Sequence, residues 1–361
     1  MSDPELRERL GSRSDLADLA PYRAPQLELP IRLNTNESPY PPPASFITEL
    51  QQRVEQSALH LYPSRDFPLV RDALAVHLKT LADRLWVANG SNEILLQLLL
   101  AFGGPDRKVM TFEPTYAMHT HLTRVTGTRH LRARRNPDYS MHPEASLEAI
   151  KTQTPDIVFL CSPNNPTGNS NTEEEIGHIC SAARGLVILD EAYAEFAPRR
   201  HAGLIEEYEN LVVTRSFSKA WRLAGARLGY MIASPWVIEE VMKVRLPYHL
   251  SALSQAAALT ALNHSAEMLG TVSTIIHERD RLYRELSTTR GIVAFPSDAN
   301  FILFRCEARP AAEIWEGLVE AGILIRDFSD SPGCEECLRV SVGTPEHDEK
   351  FLETLSRLIH K

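Results

Sequence analysis

The chain has 361 residues, 43% hydrophobic and 24% charged, with a formal net charge of −9. That length exceeds one ordinary core, so a large domain with a smaller one is expected, and the negative balance argues against a general nucleic-acid surface. No apolar run is long enough to span a bilayer, and the polar, acid-containing start is neither a signal nor a transit peptide, so a cytoplasmic protein is expected.

Five scattered cysteines (Cys161, Cys180, Cys306, Cys334, Cys337) suit a reducing compartment. Cys334-x-x-Cys337 has no second pair beside it and reads as a loop coincidence, so no metal is expected. Residues 1 to about 30 read as an amphipathic arm ending in Pro21-Tyr22-Arg23-Ala24-Pro25. The prolines at 41–43 rule out helix and favour an extended connector. From about 45 to 250 helical and strand-like segments alternate. An apolar helix covers 91–102 after Asn89-Gly90, a strand Lys108–Phe112, and a helix 115–126. Short β-rich runs follow at Ile157–Cys161, Leu186–Leu189, Leu211–Thr214 and Leu228–Ile232, with helical stretches at 172–184 and 235–245. This alternation predicts a largely parallel sheet covered by helices. After about 250 a long helical region (251–288) leads to strands at 291–295, 300–305, 322–326 and 337–342, with helices near 309–321 and 345–360. The expected division is an arm at 1–44 that joins the small domain, a large cofactor-binding domain at 45–255, and a small α+β domain at 256–361.

Lys219 carries the chemistry. It lies in Ser216-Phe217-Ser218-Lys219, just after an apolar strand, with Arg227 eight positions later. Open α/β folds place ligands at such strand ends. The amine can form a Schiff base with an aldehyde, while Ser216, Ser218 and Arg227 can hold a dianion. Pyridoxal 5′-phosphate (PLP) combines both groups.

Asp190, after Leu186–Leu189, is by itself an ordinary cap or turn acid. Beside a cofactor lysine it gains a task, because an ionised carboxylate keeps a pyridine nitrogen protonated. Tyr193 is spaced to reach the ring's phenolic oxygen. Ser162-Pro163-Asn164-Asn165-Pro166-Thr167-Gly168 suits a plain turn, yet Asn165 can donate to that same oxygen. Asn89-Gly90-Ser91-Asn92-Glu93 opens a helix, where the amides of Ser91 and Asn92 can bind phosphate. Tyr116 is either core or a ring that stacks on a pyridine. Tyr62 lies ahead of the sheet and is placed to reach a site elsewhere, in a partner subunit. Arg339 and Arg326, each on a half-apolar strand, are solvent-face residues or clamps for a carboxylate or phosphate.

Together, Asn165-Pro-Thr-Gly168, Asp190-x-x-Tyr193, Ser216-x-Ser218-Lys219, Arg227 and Arg339 resemble the fold-type I PLP enzymes of the class I/II aminotransferase superfamily. That resemblance implies a large domain with a mostly parallel seven-stranded sheet covered by helices, plus a smaller α+β domain. Finer features resemble the histidinol-phosphate aminotransferase family. These are Leu33-Asn34-Thr35-Asn36-Glu37-Ser38-Pro39-Tyr40, Tyr62-Pro63, Pro114-Thr115-Tyr116-Ala117-Met118, Pro247-Tyr248-His249-Leu250-Ser251-Ala252-Leu253-Ser254-Gln255, Gly322–Asp327 and Leu338–Thr344. Two departures stand out: Asn92 replaces a frequent acid, and Ser64-Arg65 widens the usual Tyr-Pro-Asp run.

The resemblance implies a homodimer in which Tyr62 contacts the other subunit's cofactor phosphate. It also implies Tyr22, Arg326 and Arg339 around the substrate phosphate, Asn36 and Asn165 at the substrate, and Arg339 on the carboxylate of glutamate. The expected reaction is a ping-pong transamination with small-molecule partners, an amino donor and a 2-oxo acid, in which Lys219 acts as general base and acid. Aromatic amino acid transamination, threonine-phosphate decarboxylation and a non-catalytic PLP-binding role are the alternatives.

Overall fold

The structure, a computed structural model, describes residues 11, 13–17, 19–21 and 25–360. Its strands are β1 (Ile31–Leu33), β2 (Leu85–Ala88), β3 (Lys108–Glu113), β4 (Arg129–Arg134), β5 (Ile157–Cys161) and β6 (Leu186–Asp190). They continue with β7 (Leu211–Ser216), β8 (Gly229–Ile232), β9 (Ile292–Ala294), β10 (Phe301–Cys306), β11 (Ile323–Asp327) and β12 (Cys337–Ser341).

Seven strands form one sheet in the order β2-β8-β7-β6-β5-β3-β4, and only β8 runs against its neighbours. Helices cover this sheet, so β5, β6 and β7 are buried along their whole length. That burial is why Ile-Val-Phe-Leu-Cys and Leu-Val-Ile-Leu read as unbroken apolar runs rather than alternating ones. The outer strand β4, Arg-His-Leu-Arg-Ala-Arg, instead alternates charge with partly buried residues, which suits an edge.

The first helices are α1 (Ala44–Glu55), α2 (Pro68–Leu78), α3 (Ser91–Phe102), α4 (Ala117–Val125), α5 (Pro143–Gln153) and α6 (Glu173–Ala182). Thr172 and Glu175 close a reciprocal capping box at the start of α6. Next come α7 (Pro235–Val244), α8 (Ala252–Asn263), α9 (Ser265–Met268), α10 (Val272–Thr288), α11 (Ala311–Glu320) and α12 (Pro345–Ile359). The alanine face of α8 (Ala257, Ala258, Ala261) packs into the core of the seven-stranded sheet.

A second sheet has the order β1-β11-β12-β10-β9. Its edge strand β1 comes from the N-terminal segment and pairs in parallel with β11, Ile31 opposite Ile323. A separate core of Ile302, Phe304, Ile314, Leu318, Val340 and Phe351 lies beneath it. All five cysteines are buried free thiols. Among the described residues no helix is long and apolar enough to cross a membrane.

Parallel register fixes where chemistry can gather. Cys161 sits opposite Asp190, and Asp190 opposite Thr214, so β5, β6 and β7 end along one line. The residues that follow those strands therefore emerge side by side at the carboxyl edge of the sheet.

Candidate active site

A cavity of about 380 Å³ lies at that edge, closed from the other side by Arg326, Phe328 and Arg339 of the second sheet. Lys219 enters it just beyond β7. Its Nζ donates to the carbonyl of Thr35 at 2.8 Å and lies 6.0 Å from the centroid of the Tyr193 ring. Burial, and then the positive charges of Arg339 and Arg227 against the opposing pull of Glu37, draw its pKa down to about 8. An amine so placed is available as a neutral nucleophile near neutral pH.

One part of the lining could hold a dianion. Helix α3 begins at Gly90 with no side-chain cap, and Ser91 and Asn92 line the cavity at its start. Uncapped leading amides supply donors and a positive helix end. Gly90 has φ +85°, and a Cβ there would stand 2.9 Å from Nη2 of Arg227. A Cβ at Gly229 would lie 2.3 Å from the Ser91 nitrogen. Glycines at both positions let backbone and guanidinium close on one spot. Ser216 and Ser218 stand beside it, the Ser218 amide donating to Ser216 Oγ at 3.0 Å.

A neighbouring part of the lining could hold a ring. Asp190 is 2% exposed. Its Oδ1 accepts from the Ala192 amide at 3.2 Å and Thr214 Oγ1 at 3.5 Å, and its Oδ2 meets His119 Nε2 at 3.2 Å. Toward a carboxylate oxygen, Nε2 can serve only as the donor of this bond. The His119 ring stacks on Phe159 at 4.5 Å and meets Tyr116 edge-on at 5.5 Å. Tyr116 OH donates to Asn92 Oδ1 at 3.3 Å. The Tyr193 hydroxyl accepts from Asn36 Nδ2 at 2.9 Å and Asn165 Nδ2 at 3.2 Å. Burial pushes the Tyr193 phenol up to about 12, so it stays protonated.

The two arginines on the second sheet form a clamp. Arg326 on β11 lies directly opposite Arg339 on β12. Like charges across a strand pair repel, and an anion between them relieves the cost. Arg339 donates to Asn165 Oδ1 at 2.5 Å and to the Asn34 carbonyl at 2.8 Å, with its guanidinium 5.0 Å from the Phe301 ring centroid. Asn36, at φ 56°, is pinned by Ser341 Oγ and by Asn300.

Of the residues picked from the sequence, Ser91, Asn92, Tyr116, Asn165, Asp190, Tyr193, Ser216, Ser218, Lys219, Arg227, Asn36, Arg326 and Arg339 all line this one cavity. Tyr62 does not: it is 81% exposed and stacks on Tyr248 at 4.6 Å. Tyr22 lies outside the described residues. Asn164 faces away from the cavity, tied to Pro114 O, Thr115 Oγ1 and Thr167 Oγ1. His119 was not singled out. The available signal was its spacing, three residues after Tyr116 and so on the same helix face. The Thr35 carbonyl carries no side-chain signal at all.

An amine, a dianion cradle, a buried carboxylate and a phenol flanked by amides form a donor set that fits a pyridine aldehyde bearing a hydroxyl and a phosphate. The family model for aminotransferase class I and II matches residues 29–355. The chain is 45% identical over 369 residues to a histidinol-phosphate aminotransferase of Corynebacterium glutamicum (strain R), covering 99% of this chain and 98% of that one. It is 45% identical over 356 residues to one of Mycobacterium avium (strain 104), covering 96% and 88%. Among solved structures, it resembles the histidinol-phosphate aminotransferase of Sinorhizobium meliloti in complex with pyridoxal 5′-phosphate, with a TM-score of 0.84 and 26% identity over 92% of this chain and 91% of that one.

Proposed function

The chain belongs to the class I and II aminotransferase family, and on that premise we propose that it is a PLP-dependent aminotransferase of histidinol phosphate. The reaction interconverts histidinol phosphate and 2-oxoglutarate with imidazole acetol phosphate and glutamate, a step of histidine biosynthesis. The observation that carries this reading is a single cavity holding the Lys219 amine opposite two facing arginines.

Bound there, PLP supplies an aldehyde that captures amines and a protonated ring that draws electrons from the donor's Cα. Lys219 is the residue that links to the aldehyde. The Ser91 and Asn92 amides, the Ser216 and Ser218 hydroxyls and Arg227 would hold the phosphate. Asp190, oriented by the His119 contact, would keep the ring nitrogen protonated, Tyr193 and Asn165 would serve the phenolic oxygen, and Tyr116 would serve the ring. With the cofactor bound, Lys219 Nζ would serve as general base at the donor's Cα and give the proton back as general acid, a contribution of roughly 10²–10⁴-fold in rate. Arg326 and Arg339 fix the donor's phosphate, and Arg339 takes the carboxylate of glutamate in the return half. Asn36 closes the substrate side.

The working unit is a dimer in the cytoplasm. Leu59, Leu61, Tyr62 and Leu246 are 60%, 62%, 81% and 72% exposed. Their two segments adjoin through the Tyr62–Tyr248 stack and a 2.7 Å bond from Arg245 to the Arg65 carbonyl. A patch of that kind suits burial against a second copy, which brings Tyr62 to the other protomer's phosphate cradle. Leu61→Glu is expected to sediment as a monomer; an unchanged dimer would refute this contact. For the substrate, single-turnover reaction of the holoprotein with histidinol phosphate and with phenylalanine is the test. Faster consumption of histidinol phosphate is expected, and preference for phenylalanine would overturn the reading.

A further inference from the structure

Glu37 and Asp190 are the two acids lining the cavity, against the cations Lys219, Arg227, Arg326 and Arg339. They differ in situation. Asp190 is buried and bonded to His119, whereas Glu37 is exposed on the substrate side. Thr35 Oγ1 donates to Glu37 Oε2 at 2.7 Å, which fixes the carboxylate and leaves Oε1 to accept from a ligand.

The segment that carries Glu37 is anchored on both sides. Asn34 and Asn36 are 5% and 1% exposed. Asn34 Nδ2 donates to the Pro25 carbonyl at 2.9 Å, and the Asn36 amide donates to Ser341 Oγ at 2.9 Å. Between them the Thr35 carbonyl accepts from Lys219 Nζ at 2.8 Å. Glu37 is thus held near the reacting amine, the exposed acid in a cavity that also holds four cations and the buried Asp190.

This inference rests on the reading above, in which the donor is a phosphorylated amine with an imidazole ring. The arginines account for its phosphate, and Lys219 and the cofactor account for its amine. The ring N–H is the donor group left without a partner. We propose that Glu37 is a specificity-determining residue that accepts a hydrogen bond from that ring N–H. A bound ring with no N–H would cover Oε1 without giving it a partner, and sites built around such a bond reject analogues that lack it. The carboxylate would then exclude plain aromatic donors as well as favour the imidazole.

The test compares kcat/KM of the holoenzyme for histidinol phosphate and for phenylalaninol phosphate, which keeps phosphate, amine and an aromatic ring but has no ring N–H. Glu37→Gln retains an acceptor without the charge; Glu37→Leu removes both. The preference for histidinol phosphate should fall roughly tenfold in the glutamine variant and roughly a hundredfold in the leucine variant, mainly through KM. A preference that stays within about twofold of the parent in both variants overturns the assignment. If the unaltered holoenzyme does not turn over histidinol phosphate, the substrate reading itself fails and this inference falls with it.

Discussion

Replacing Arg215 with methionine strands a charge in the middle of the large sheet. Arg215 and Glu191 are 4% and 1% exposed, with Nη2 and Oε2 2.6 Å apart and a second bond from Nε at 2.9 Å. Glu191 Oε1 also accepts from the His201 amide at 2.7 Å, so its carboxylate is fully engaged. At this separation and an effective dielectric of about 20 the attraction is about 6 kcal/mol, largely offset by the cost of drying both ions. Removing one partner keeps the cost and loses the attraction, a destabilisation of about 3–5 kcal/mol. For a chain of this length that lowers Tm by about 4–7 °C, and the urea midpoint should fall with little change in slope. The double variant Arg215→Met/Glu191→Leu should recover most of the loss, because an apolar pair needs no partner. Since β6 and β7 end at Asp190 and Ser216, the single variant should also hold its cofactor more weakly. A single variant within about 1 kcal/mol of the parent, or a double variant no more stable than the single, would refute the reasoning.

His119→Phe keeps the stack on Phe159 but removes the donor to Asp190. It should lower kcat/KM by roughly tenfold or more with little change in Tm, and unchanged kinetics would show that Asp190 needs no orientation. Burial against Glu278 raises the Asp348 carboxyl well above the usual carboxylate range, and its Oδ2 is buried without a donor. The folded chain therefore holds a proton that the unfolded chain has released, so this contribution is present in acid and lost as pH rises past neutrality. The urea midpoint should be lower at pH 9 than at pH 6, and Asp348→Asn should flatten that slope; an equal slope in the variant counts against the raised Asp348 carboxyl.

The central sheet was legible because full burial wrote it as unbroken apolar runs, and helices between them dictated parallel pairing. Leu85–Ala88 and Arg129–Arg134 are strands that the sequence reading missed: the first is four residues long, and the second alternates charge as an edge strand does. The helix expected at 115–126 begins two residues later, because Tyr116 stays extended as its N-cap and lines the cavity. In the site, strand-end residues were readable since register carries them to one edge. Partners defined by a backbone carbonyl, such as Thr35 for Lys219, or by stacking, such as His119 on Phe159, depend on tertiary approach and leave no local pattern. Tyr62 belongs to a third class, a residue whose proposed role needs a surface that one protomer does not contain.

Everything converges on which lysine holds the cofactor. Borohydride reduction of the purified holoprotein, followed by proteolysis and mass spectrometry, reads this directly and needs no turnover. The pyridoxyl phosphate mass is expected on the peptide that carries Lys219, and Lys219→Ala should lose both that label and transamination of histidinol phosphate. A label on any other lysine, or full turnover by Lys219→Ala, would contradict the assignment.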